Sequence, residues 1–222
     1  MGSRVVASVL AGLVCACGDS APPEVIDGPA IAQDGPSGNL IFEEDFASFP
    51  GDAWFGGDSF SVEPVGMPPP SIACSAEAGS ACGATLVDPI EIDPSGGVTM
   101  CAWMAIEQGG TGSFIALEAR AQSLDTDAGS NANLLGVTLW SDGHVHLLLE
   151  DPVPVAGEPV EDSDFHEFCL VIGDDGAAEW QVDGAVQATG TASSAPFGIQ
   201  LRAQIVAGTF VGRIDTLRIT RP

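Results

Sequence analysis

Several acidic, imidazole and aromatic side chains fall at spacings that could do chemistry. Glu43, Glu44 and Asp45 follow one another in NLIFEEDF, and Asp215 stands near the end of the chain in FVGRIDTLRIT. Asp125 and Asp127 lie in SLDTDAGSN, a stretch rich in the carboxylate and amide oxygens that calcium takes as ligands. Both acidic groups are candidates for a calcium site. His144 and His146 are two residues apart, so on a strand they share a face, with Glu150 further along it. Such a pair can ligate a transition metal, although a half-exposed strand also carries His as an ordinary polar residue. Trp54 in GDAWFGGDS and Trp140 beside the turn SDG are candidate platforms on which a sugar ring could stack.

The cysteines divide into two groups. Cys15 and Cys17 close an N-terminal stretch, MGSRVVASVLAGLVCAC, with one Arg and an apolar run from Val5 to Val14. That run is too short to span a bilayer, which takes about 20 apolar residues, and it has the form of a secretory signal peptide. Cleavage before Cys15 would leave Val14 at the −1 position, where a small residue is needed. Cleavage before Cys17 leaves Ala16 there, with Val14 at −3. The arrangement resembles the bacterial lipoprotein box, whose new N-terminal cysteine is diacylated through sulfur, with Val14 standing where the box usually has Leu. The resemblance implies a signal peptide over residues 1–16 and a lipid on Cys17. The protein would then be exported and anchored to a bacterial membrane, at the outer membrane or cell surface. An ordinary cleaved signal is the alternative. Residues 17–38 are Pro-, Gly- and Asp-rich without a period and read as a flexible tether, with a root-mean-square reach of roughly 25 Å.

Cys74, Cys82, Cys101 and Cys169 remain, and four cysteines allow three pairings. The short loop CSAEAGSAC favours Cys74–Cys82, which leaves Cys101–Cys169 to join two predicted strands. A zinc site lacks CxxC spacing and a nearby His. Disulfides fit an oxidising compartment.

The chain of 222 residues has 31 Asp+Glu against 6 Lys+Arg, all six Arg, for a formal charge of −25. This balance excludes nucleic acid as a partner, since phosphate contacts need basic side chains. It also argues against anionic lipid or acidic polysaccharide unless a divalent cation bridges the two. Solubility accounts for most of the charge.

The elements that must position these groups are short. From Leu40 onward, apolar runs are broken by Gly, Asp and Pro, with no helical period. NLIFEEDF reads as a first strand and GVTMCAWMAI as a central strand apolar on both faces. SFIALEARA alternates. NLLGVTLWSDGHVHLLLED reads as two strands around SDG. FHEFCLVIGDDGAAEWQVDGAVQATG gives three strands, the last two joined at Asp183-Gly184, a pair suited to a two-residue hairpin. IQLRAQIVAG and FVGRIDTLRIT end the chain in strict alternation. The expectation is an all-β fold, a two-sheet antiparallel sandwich over residues 39–222.

GGVTMCAWMAI, DFHEFCLVIGDDGAAEWQVDGAV, and the pair FEEDFASFP and GRIDTLRI together resemble the concanavalin A-like lectin/glucanase superfamily in its laminin-G-like bacterial form. The resemblance implies a jelly roll whose first and last strands pair, with Trp103 and Trp180 in core positions and His166 in a structural one. Cys169 occupies a strand position unusual for the family, which fits a bond to Cys101. Enzymes of the superfamily suggest two tests. The laminarinase-like Glu-x-Asp-x-x-Glu motif is matched by Glu91 and Asp93, but Gly96 stands at the sixth position, so the carboxylate pair that a retaining mechanism holds about 5 Å apart is incomplete. Jelly-roll lyases resemble one another in using a Tyr proton donor, and this sequence has no Tyr. The reading is a membrane-anchored, non-catalytic lectin-like domain that binds carbohydrate or a cell-surface protein. A glucanase-type hydrolase with an unrecognised site and a protein-adhesion module are the alternatives.

Overall fold

The computed structural model describes residues 39–67, 69–77, 79–90, 96–108, 112–121, 134–141, 145–148, 155–156, 160, 163–192, 197–204 and 209–222. Among these residues there is no helix. The strands are β1 (Asn39–Glu44), β2 (Trp54–Gly56), β3 (Ser61–Glu63), β4 (Ser71–Glu77) and β5 (Ala81–Leu86). They continue with β6 (Val98–Gln108), β7 (Phe114–Ala121), β8 (Leu134–Trp140), β9 (Val145–Leu148) and β10 (Val155–Ala156). The last five are β11 (His166–Ile172), β12 (Ala177–Val182), β13 (Ala185–Thr191), β14 (Phe197–Gln204) and β15 (Thr209–Arg221).

They form two antiparallel sheets. Sheet I has the order β13-β12-β11-β6-β15-β4-β3, with β1 also paired to β15; sheet II has the order β10-β9-β8-β7-β14-β5-β2. The expected pairing of first and last strands is present, Glu43 standing opposite Arg218 and Phe42 opposite Ile219. The Asp183-Gly184 hairpin is present too, both residues having positive φ, 51° and 75°.

Strand alternation builds the core. Met100, Ala102 and Met104 of β6, Phe168 and Leu170 of β11, and Ile214 and Ile219 of β15 turn inward from sheet I. They meet Ile115, Leu117 and Ala119 of β7 and Ile199, Leu201 and Ala203 of β14. Trp180, 1% exposed, reaches from sheet I to donate its indole N–H to the Gly136 carbonyl of sheet II at 3.0 Å. Position 136 has to be glycine, because a Cβ there would overlap the Leu117 carbonyl of the neighbouring strand.

Both expected disulfides are formed, and their placement adds to what the spacing implies. Cys101 and Cys169 are direct partners on adjacent strands of sheet I, with Cα atoms 4.1 Å apart. Cys74 and Cys82 close more than a surface loop: Cys74 lies on β4 of sheet I and Cys82 on β5 of sheet II, so the bond ties the two sheets through the core. GVTMCAWMAI is central as expected, but its outer face is only partly covered, and Trp103 is half-buried there rather than in the core.

Trp180→Phe should lose the intersheet hydrogen bond and leave a small cavity where the larger indole packed. The expected cost is about 2–4 kcal/mol of unfolding free energy, read from urea denaturation.

Candidate functional site

The candidate site is the outer face of sheet II, and it follows from two sequences that alternate. In SFIALEARA, burying Ile115, Leu117 and Ala119 commits Ala116 and Glu118 to the other face. In FGIQLRAQ, burying Ile199, Leu201 and Ala203 does the same to Gln200. The registers then line up one row across the sheet. Phe55 stands opposite Thr85, Thr85 opposite Gln200, Gln200 opposite Glu118, and Glu118 opposite Gly136.

This row combines an aromatic ring with polar groups. Phe55 on the edge strand is 65% exposed, while Thr85, Gln200 and Glu118 are 6%, 8% and 2% exposed. Polar side chains on the outer face of an open sheet are normally wet, so their near-complete burial marks a stretch of this face that other parts of the chain cover. Within it the Gln200 Oε1 has no hydrogen-bond partner. A buried acceptor left unpaired costs about 1–3 kcal/mol, and a hydroxyl donor from a ligand would recover it. The neighbouring rows carry Arg202 opposite Ala116 on one side and Arg120 opposite Gly198 on the other. On the strands of sheet II, Glu118 is the lone carboxylate among the described residues. The pair of carboxylates that a retaining glycosidase needs is therefore not assembled there.

The candidates named from the sequence fare unevenly. Trp54, expected as a stacking platform, is 5% exposed and packs against Phe49 and Phe42. Its indole N–H donates to Glu44 Oε2 at 2.9 Å, so it serves the core; Phe55, the next residue, takes the outer face. Trp140 stands in register with Phe114 at the start of β7 on sheet II. His146 pairs in register with Thr138 on the same sheet, while His144 and Glu150 lie outside the described residues. Glu91, Asp93, Asp125 and Asp127 also lie outside them, as do Cys15, Cys17 and the whole of residues 1–38.

Glu43, Asp45 and Asp215, the calcium candidates of the first and last strands, are each engaged by protein groups. Among the described residues no group of three ligand atoms gathers around them. Glu43 is paired with Arg218 at 2.8 Å, Asp45 accepts the Ala47 N–H at 2.9 Å, and Glu44 accepts from Phe46 and Trp54. Asp215, fully buried, accepts the Met67 N–H and the Thr216 hydroxyl. Burial raises its pKa, and the nearby Asp45 pushes the same way against those hydrogen bonds. These carboxylates organise the β1–β15 junction. The group that does gather, Cys101, Glu167 and Cys169, has both sulfurs in a disulfide and no thiolate to offer.

No protein-family model and no curated protein sequence matches the chain. Solved structures do. The potassium-bound carbohydrate recognition domain of Emp46p is 13% identical over 76% of this chain and 88% of its own, with a TM-score of 0.55. The β-glucanase of Bacillus licheniformis is 14% identical over 84% of this chain and 100% of its own, with a TM-score of 0.56. The alginate lyase AlgAT5 of polysaccharide lyase family 7 is 13% identical over 74% and 83%, with a TM-score of 0.54. The chain has the concanavalin A-like jelly-roll fold. At these identities the likeness establishes the fold alone, and lectins and enzymes share it.

Glu167 supplies a test of the local electrostatics. Burial raises its pKa, Asp183 adds to the rise, and Arg218 opposes it. A glutamate whose folded pKa exceeds the unfolded one contributes stability below the ordinary range, and that contribution is lost as pH rises through the folded value. Glu167→Gln should therefore gain on the wild type at about pH 7 and lose that advantage at about pH 3.5, as read from urea midpoints at the two pH values. An equal offset at both would contradict the assignment.

Proposed function

We propose that this protein is a carbohydrate-binding module, exported and held at a bacterial membrane by a lipid on Cys17, and that it takes its ligand on the outer face of sheet II. The observation that carries the reading is the row Phe55–Thr85–Gln200–Glu118, an exposed ring at one end of a line of buried polar side chains that includes an unpartnered acceptor. Sugars are bound by such a combination, an apolar ring face stacked on an aromatic and hydroxyls exchanged with a few fixed amides and carboxylates. The solved relatives support a carbohydrate ligand, being a carbohydrate recognition domain, a β-glucanase and an alginate lyase. The lone Glu118 favours binding over glycosidic cleavage. A cation is a second part of the reading. Calcium at Asp125 and Asp127 rests on the oxygen-rich sequence SLDTDAGSN, and the potassium-bound Emp46p domain supports a cation in this fold.

The test is calorimetric titration of the chain from Asp19 onward with a panel of oligosaccharides, with calcium and then with a chelator. Saturable binding is expected, weakened about tenfold or more by Gln200→Ala and by Phe55→Ala with little change in melting temperature. Loss of binding on chelation would establish the cation. No binding to any glycan would refute the lectin reading and move the protein to the adhesion class. Separately, Cys17→Ser should abolish incorporation of labelled fatty acid and release the protein from the membrane fraction.

A further inference from the structure

The two disulfides stand in chemically different places. Cys74–Cys82 joins the sheets inside the core, its cysteines 0% and 4% exposed. Cys101–Cys169 lies between adjacent strands on the outer face of sheet I, since Met100, Ala102, Phe168 and Leu170 on either side of its cysteines turn inward. There Cys101 is partly exposed and Cys169 is buried. The ladder between β6 and β11 runs from His166 opposite Met104 to Ile172 opposite Val98. That ladder and the core beneath it hold the two sulfurs side by side with or without a bond between them. Opening this disulfide therefore leaves the fold closed, whereas a reagent reaches Cys74–Cys82 only when the sheets part.

The neighbours of the outer bond suit sulfur chemistry. A carboxyl oxygen of Glu167 and both sulfurs lie within 4.8 Å of one another. Glu167 precedes Cys169 by two residues on β11 and so shares its face. Burial, with Asp183 adding and Arg218 opposing, raises its pKa, so it keeps its proton to higher pH than an ordinary glutamate. The other titratable groups around it are engaged. His166 contacts Asp183 at 2.6 Å, Glu179 accepts from Gln181 at 3.2 Å, and Asp215 accepts from Met67 and Thr216. β6 lies between β11 and β15, so Arg218 of β15 stands opposite Cys101 on the side away from Cys169. Its guanidinium, paired with Glu43 at 2.8 Å, brings a positive charge to the strand next to Cys101, which favours a thiolate there.

We propose that Cys101–Cys169 is an exchangeable disulfide that oxidises a dithiol partner, with Cys101 the sulfur attacked and Glu167 the proton donor to Cys169. A thiolate of the dithiol attacks Cys101 Sγ, and the Cys101–Cys169 bond breaks. Its electron pair goes to Cys169 Sγ, which takes the Glu167 proton. The partner's second thiol returns a proton to Glu167 and attacks the partner's own sulfur in the mixed disulfide, and Cys101 leaves as a thiolate beside Arg218. The partner ends as a disulfide, having given up two electrons, and the protein as Cys101 thiolate and Cys169 thiol. This activity goes beyond the carbohydrate reading and does not depend on it.

The probe is dithiothreitol, applied without denaturant to the protein purified as the cell processes it, with freed thiols alkylated and located by peptide mass spectrometry. Cys101 and Cys169 should be labelled about a hundredfold faster than Cys74 and Cys82, with a cooperative melting transition retained. Oxidised glutathione should then restore the bond. Equal rates, or loss of the transition as Cys101 and Cys169 are freed, would overturn the proposal. Glu167→Gln tests the proton donor, with rates referred to the dithiothreitol thiolate. Loss of a donor makes the variant about tenfold slower at about pH 5, where Glu167 holds its proton, and closer to wild type at about pH 8. A carboxylate that acts only through its charge leaves the rate unchanged at about pH 5 and makes the variant faster at about pH 8, which would overturn the role of Glu167. Should the variant fail to fold, the comparison of the two disulfides in the wild type decides whether the bond exchanges.

Discussion

The register between β7 and β14 is the constraint on which the site depends. Leu117 stands opposite Leu201 and Glu118 opposite Gln200, so the two strands turn the same apolar row to the core and the same polar row to the other face. Because side chains alternate with a period of two, a slip of one residue would drive Glu118 and Gln200 into the core and expose Leu117 and Leu201. Hydrophobic burial on one face thus positions the chemistry on the other. Neighbouring strands extend the arrangement, with Thr85 and Phe55 on one side and Gly136 on the other. Trp180 and the Cys74–Cys82 bond then hold that sheet against its partner.

Much of the fold is legible because it is written in alternation. The C-terminal strands, the Asp183-Gly184 turn and the short Cys74–Cys82 loop follow from local pattern, while the first-to-last strand pairing follows from the resemblance to the superfamily. The short strands β2 to β5 do not, since Ala, Ser, Gly and Cys give SIACSAE and ACGATL little contrast between faces. The stacking residue escapes the sequence for a related reason. Trp54 and Phe55 are adjacent aromatics, and sequence alone does not say which turns inward. Glu44 decides it by accepting the Trp54 indole N–H, a partner ten residues away in the chain. The Glu118–Gln200 pair escapes it because the two residues come from distant segments and meet only through sheet pairing. The alternation of SFIALEARA is its one visible signal.

The paired charged residues of sheet I and of the β1–β15 junction serve the structure. At the β1–β15 junction Glu43, Glu44, Asp45 and Asp215 have the look of cation ligands in the sequence, yet each is occupied by an arginine, an indole or backbone N–H groups. A carboxylate that satisfies buried donors is fixed in place and has little left for a metal. On sheet II the one carboxylate among the described residues of the strands, Glu118, is buried. Its row of polar groups includes an acceptor that nothing in the described residues satisfies.

Assigned backbone and side-chain amide resonances, followed while an oligosaccharide is titrated in, test most directly whether sheet II is the ligand face. Shifts gathered on β5, β7 and β14, with the Gln200 side-chain amide among the largest, are the predicted result. Shifts gathered instead on the outer face of sheet I, around Trp103, Glu63 and Arg213, would contradict it.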